Sequence, residues 1–192
     1  MSDKLNDVLD DLAELAENEG EVSVKDVIEK VGSRGQGVFL MVPGLIGMTP
    51  LGGIPGVPTI LGILVIVLGA QVLMGRQKVW VPDMVGNRSV SDDRLGRAVS
   101  KTRKPARWID RHFGQRLESL TGTTAVRVAA ALCVLFGLLM PPLEIVPFAA
   151  LIPFTAVTLL GLSLTLRDGV LMAIAFTASI AALYGTWTFL PI

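Results

Sequence analysis

The sequence predicts an all-α, polytopic integral membrane protein built on two internally repeated, proline-broken helical hairpins, with amphipathic interfacial helices around them. Three observations predict it. Hydrophobic residues make up 51% of the 192 and charged residues 18%, with a mean hydropathy of +0.59, so a membrane-compatible composition coexists with ample charge. The two are segregated: residues 1–34 hold ten acids and four bases, residues 76–116 hold eleven bases and four acids, and the apolar stretches hold almost none. Finally, Met48, Pro50, Leu51, Pro55, Val65 and Gly69 recur without a gap as Met140, Pro142, Leu143, Pro147, Val157 and Gly161, at a constant offset of 92. Duplicated apolar segments interrupted by proline and glycine are a pattern of membrane proteins with paired elements around a central site.

Five regions follow in order. Residues 1–34 read as acidic amphipathic N-terminal helices. Leu5, Val8, Leu9, Leu12, Leu15 and Ala16 recur at helical spacing, and Ser23 with Asp26 stands at capping-box spacing ahead of Val27, Ile28 and Val31. This region suits a lid on a partner or on the membrane domain, and its acidity argues against anionic lipid. No secretory signal peptide is expected from an acidic opening without an apolar h-region.

Residues 35–75 form the first membrane repeat. Gly37–Gly47 is apolar but shorter than the roughly 20 helical residues needed to cross a hydrocarbon core. The stretch Thr49–Thr59 has three prolines and three glycines and cannot continue a regular helix. Val57–Met74 is then long enough to cross, ending at Arg76, Lys78 and Trp80, an interface anchor.

Residues 76–123 are a basic interfacial or cytoplasmic segment. Ser91 is placed to cap a helix starting at Asp92, and Pro105 separates it from a second helix whose stripe is Trp108, Ile109, Phe113, Leu117 and Leu120 among five basic residues. Bases beside a headgroup-level tryptophan fit a lipid interface. Interleaving with membrane segments argues against nucleic acid as a partner.

Residues 124–168 form the second repeat, running to Met140, breaking at Pro141-Pro142, and resuming to Leu166. Arg167-Asp168-Gly169 turns the chain into residues 169–192, the final transmembrane helix. Basic residues place 76–116 on the cytoplasmic side. Two topologies remain open: two parallel in-out-in hairpins, or inverted copies each with a re-entrant dip and one crossing.

Candidate substrate-binding residues are those whose chemistry is costly at membrane depth. Glu144 lies inside the second broken turn, where a carboxylate can bind a cation or a proton, or be hydrated at the outer surface. Pro50, Pro55, Gly56, Thr59, Pro142 and Pro147 shape the two turns and can expose backbone groups. Arg127, Arg167 and Arg76 stand at segment ends, either as snorkelling anchors or as a basic mouth for phosphate headgroups. Asp168 is a candidate cap for the last helix or a partner of Arg167. Gln71, in an apolar helix, needs a hydrogen-bond partner and is a candidate donor to the broken turns. His112 has no metal partner in view, and Cys133 alone forms no intrachain disulfide. No catalytic residue, metal or cofactor is expected, since no phosphate-cradling loop or nucleophile elbow is present.

The stretches Pro55-Gly-Val-Pro-Thr59, Gly69-Ala-Gln-Val-Leu-Met-Gly-Arg76 and Trp80-Val-Pro82 resemble the ExoD family of exopolysaccharide-synthesis membrane proteins. So do Pro142-Leu-Glu-Ile-Val-Pro-Phe148 and Gly161-Leu-Ser-Leu-Thr-Leu-Arg-Asp-Gly169, and the resemblance covers most of residues 22–190. It implies a multi-pass protein of the bacterial inner membrane linked to exopolysaccharide production, with the mechanism open. The first turn departs from the family's pattern: Gly52-Gly53 and Pro58 loosen a segment that usually carries a serine, so a hydroxyl role there falls on Thr59 or Thr49. The duplicated broken helix with Glu144 in one turn points to transport or handling of an ion or a lipid-linked intermediate through the broken turns. The alternative is a structural or regulatory scaffold of an envelope polysaccharide assembly. Expected partners are membrane lipids, a second copy of the chain, and the polysaccharide-synthesis machinery.

Overall fold

The computed structural model describes residues 5–17, 21–31, 36–76, 80, 89–91, 96–97, 99–104, 106–107, 121–146 and 148–189. The described residues are helical apart from turns and one short ribbon. The elements are α1 (Leu5–Glu17), β1 (Glu21–Ser23), α2 (Val24–Val31), α3 (Gln36–Gly47), a 3-10 turn (Pro50–Gly53), α4 (Val57–Leu73), β2 (Ser89–Ser91), α5 (Thr123–Leu143), α6 (Leu151–Leu166) and α7 (Gly169–Phe189). The ribbon pairs β1 with β2 antiparallel, Glu21 opposite Ser91. Ser91 is the last residue of β2; residues 92–95, where the helix it was expected to cap would begin, lie outside the described residues, and 96–97 and 99–104 are helical. The basic amphipathic stripe from Trp108 to Leu120, His112 included, lies outside the described residues.

Two hairpins, α3–α4 and α5–α6, pack face to face, with α3 mainly against α6, α4 mainly against α5, and α7 along α6. The closest approaches are between backbones. A β-carbon on Gly37 would lie 2.5 Å from the Gly161 carbonyl oxygen, and one on Gly161 2.7 Å from that of Gly37. Gly62 and Gly137 face each other likewise across α4 and α5, at 2.8 Å in each direction. Glycine is the residue that permits such approach, the small-residue interface of membrane helices. Around the crossings sit Leu40, Val65, Cys133, Phe136, Met140, Phe154, Val157 and Leu160, all fully enclosed.

Helix α5 passes through Pro141 and Pro142 and ends at Leu143, three residues beyond the expected break. Proline in a helix removes the bond to the carbonyl four residues back. Here that loss falls on the last turn, where little helix remains to be disrupted. The freed Gly137 carbonyl points at Gly62 on α4, a Cα–H···O contact of the kind found at close helix crossings.

Two helices, Thr123–Leu143 and Gly169–Trp187, are long and apolar enough to cross a membrane. Helices α3, α4 and α6 are apolar but shorter, at 12, 17 and 16 residues. The N-terminal region docks on one end of this bundle. Leu5 and Leu9 of α1 pack with Val99 and Ala106 of the basic segment and with Leu166 and Leu171 at the α6–α7 junction. Asp10 bridges Arg103 at 2.9 Å and Glu14 bridges Lys30 at 2.8 Å. The capping box forms as spaced: the Ser23 hydroxyl accepts from the Asp26 amide at 3.2 Å, and Asp26 Oδ2 accepts from the Ser23 amide at 2.9 Å.

Candidate functional site

The candidate residues fall at opposite ends of the bundle, separated by the length of α5, about 30 Å for its 21 residues.

At the apex, both hairpin turns meet. In the first, the Val57 amide donates to the Ile54 carbonyl at 3.1 Å, with Pro55 and then Gly56 at φ +89° between them. This is a type II turn, whose third position needs positive φ and whose second favours proline. Gly56 is also the residue preceding α4 and has no side chain with which to cap it. Glu144 supplies the cap from the other hairpin. Its Oε1 accepts from the Gly56 amide and its Oε2 accepts from the Thr59 hydroxyl at 2.5 Å. A carboxylate at a helix N-terminus is stabilised by the exposed amides and the helix dipole. Both oxygens thus already accept bonds from the protein.

The second turn repeats the bonding of the first. Gly52 N to Thr49 O, Ile54 N to Leu51 O and Val57 N to Ile54 O measure 2.9, 3.1 and 3.1 Å; Glu144 N to Pro141 O, Val146 N to Leu143 O and Ala149 N to Val146 O measure 3.2, 3.1 and 3.1 Å. Phe148, at φ +63°, stands where the first turn has Gly56. Pro50 opens the 3-10 turn behind its cap Thr49, and Pro142 lies in the last turn of α5. Pro147 lies outside the described residues. Pro55 and Glu144 share the lining of a small cleft of about 30 Å³.

At the base, Gln71 and Asp168 are committed to the backbone. Gln71 Nε2 donates to the carbonyls of Trp80 at 2.7 Å and Val67 at 3.0 Å, while its Oε1 accepts from the Trp80 amide at 2.5 Å. Its bond therefore pins the chain leaving α4 and does not reach the broken turns, because residue 71 sits at the other end of that helix. Asp168 is fully buried; its Oδ1 accepts from the Leu171 amide at 2.9 Å, which caps α7. Arg76, past the end of α4, offers its carbonyl to Gln36 Nε2 at 2.7 Å and closes the first hairpin.

Arg127 and Arg167 line one cavity of about 540 Å³ with Gln36, Thr121, Thr123, Ser163 and Thr165, backed by Val72, Val126, Leu164 and Met172. Arg127 comes from the second turn of α5. Arg167 follows α6 directly and holds φ +48°, a left-handed conformation ordinarily left to glycine. The hydroxyls were not anticipated, although Thr121, Thr123 and Thr124 cluster just before Arg127, and Ser163 and Thr165 just before Arg167. That coincidence of polar residues at apolar segment ends was the available signal.

A family model described as "Exopolysaccharide synthesis, ExoD" matches residues 5–188. The chain is also similar to "Protein ExoD" of Rhizobium meliloti (strain 1021), 27% identical over 156 residues. That match covers 79% of this chain and 63% of the relative, so the chain spans less than two thirds of that protein's length. No solved structure matches. The chain belongs to the ExoD family, which is linked to exopolysaccharide synthesis.

Proposed function

We propose that this member of the ExoD family is a multi-pass protein of the bacterial inner membrane that handles a lipid-linked intermediate of exopolysaccharide synthesis at the base of its helical bundle. The observation carrying this reading is the 540 Å³ cavity where both hairpins and α7 converge, lined by Arg127 and Arg167. Bases concentrate at this end, with Arg76, Arg97, Lys101, Arg103, Lys104 and Arg107 near it in the sequence, which supports placing the base in the cytoplasm. The matching turn bonds and the paired left-handed residues Gly56 and Phe148 support an internal repeat with both turns facing the far side.

In this reading the Glu144 junction is a structural lock between the repeats. An ion path through the turns is less favoured, because both carboxylate oxygens are occupied. The scaffold reading rested on acidic and basic docking surfaces. It has less to stand on, since α1 spends its apolar face and Asp10 within the chain.

The test is polysaccharide output from cells carrying the double variant Arg127→Gln/Arg167→Gln in place of the native protein. Output is expected to fall about tenfold or more, as the loss of charge-assisted bonds to a substrate implies, with the membrane level of the protein unchanged. Normal output at normal protein level would refute the handling role.

A further inference from the structure

We propose that the base cavity is an anion site whose ligand is a phosphate group carried on a lipid, resting on the reading above that the cavity handles a lipid-linked molecule. Its volume, about 540 Å³, is that of a small-molecule pocket. Among the described residues lining it there are two arginines and no carboxylate. The nearest acid in sequence, Asp168, is buried and directed into the start of α7. Guanidinium is the side chain best matched to phosphate oxygens.

Two further features fit the same ligand. Helix α5 begins at Thr123, on the cavity wall, after Gly122, which supplies no capping side chain. The Val126 amide is satisfied by the Gly122 carbonyl, and the amides ahead of it belong to the unpaired first turn of the helix. The same lining carries an apolar wall of Val72, Val126, Leu164 and Met172. A soluble phosphate has no use for that wall, whereas a lipid carrying the phosphate does.

The experiment is a thermal-shift titration of the purified full-length chain in detergent with farnesyl phosphate, farnesol, inorganic phosphate and short-chain phosphatidic acid. Farnesyl phosphate is expected to raise Tm in a saturable way and farnesol to leave it unmoved. Arg127→Gln and Arg167→Gln are each expected to weaken binding about tenfold. Arg127→Lys should retain most of it, and Arg103→Gln, in the ion pair with Asp10 outside the cavity, all of it. Phosphatidic acid matching farnesyl phosphate supports the site and assigns its source to membrane phospholipid. Inorganic phosphate binding as tightly as the lipids overturns the lipid assignment. Farnesol binding equally, or both glutamine variants binding as the native protein does, overturns the anion site. Phosphate binding lost in these variants while polysaccharide output persists would leave the site standing and remove the handling role; the converse result would remove the site alone.

Discussion

Among the described residues, two without glycine's freedom hold left-handed backbone, and they stand at the two ends of the bundle: Phe148 at the apex and Arg167 at the base. A side chain in that region costs roughly 1–2 kcal/mol. Strain of this kind points toward a role that overrides it. In the proposed reading the cavity supplies one for Arg167, whereas Phe148 is 70% exposed, so little packing among the described residues offsets its cost. Phe148→Gly is accordingly expected to stabilise the detergent-solubilised protein by about 1 kcal/mol, after allowing for glycine's greater unfolded-state entropy. Thermal unfolding reads this directly, and a lowered Tm would mean that the ring's contacts outweigh the strain. Glu144 was legible as a costly carboxylate in a broken turn. Gly56 and Thr59 were legible as candidates in the other turn, but nothing local in the sequence says that these two residues, 88 and 85 positions away, are the ones that bond it.

At the level of elements, apolar runs and punctuation located the helices well. Gly75 ends α4 in a Schellman motif, with Arg76 N bonded to Gln71 O and Gly75 N to Val72 O, both at 3.0 Å. Proline misled at Pro141, because a helix tolerates the loss of two bonds in its final turn. The β1–β2 ribbon was illegible: three-residue strands have no measurable period, and their pairing is set by docking of distant segments. Helix α2 carries a prediction of its own. The Asp26 carboxyl is held below its ordinary value of 3.8 by the Ser23 hydroxyl and then the Ser23 amide. A depressed native pKa stabilises the folded form at pH values above the unfolded pKa, and that contribution disappears as pH falls through the native value. Hydrogen-exchange protection of α2 should thus be constant from neutrality down to about pH 5 and drop below the ordinary carboxylate range. Asp26→Asn should abolish that pH dependence, and a persisting drop would assign it to another acid.

Across the whole molecule, both turns share one end and, among the described residues, Arg127 and Arg167 stand at the other, as the proposed in-out-in arrangement requires. Labelling of single cysteines tests the placement in the membrane. In a Cys133→Ser background, Gly53→Cys at the apex is expected to react with an impermeant thiol reagent from the periplasmic side, and Ser100→Cys only after the membrane is opened. Reaction of Ser100→Cys in intact cells would invert the orientation. The matching turn bonds at offset 92 were readable in part because prolines and glycines dictate backbone shape. The division of the candidate residues into two distant places was not, because helix length separates what a list of costly residues brings together.

The Glu144 cap sets an order of events during synthesis. Helix α4 leaves the ribosome with the amide of its cap residue Gly56 uncovered, and the carboxylate that covers it is 88 residues downstream. At roughly 5–20 residues per second this is a wait of about 4–18 s. During that interval the first hairpin carries an unfinished helix start, so assembly of the first half is completed only by the arrival of the second.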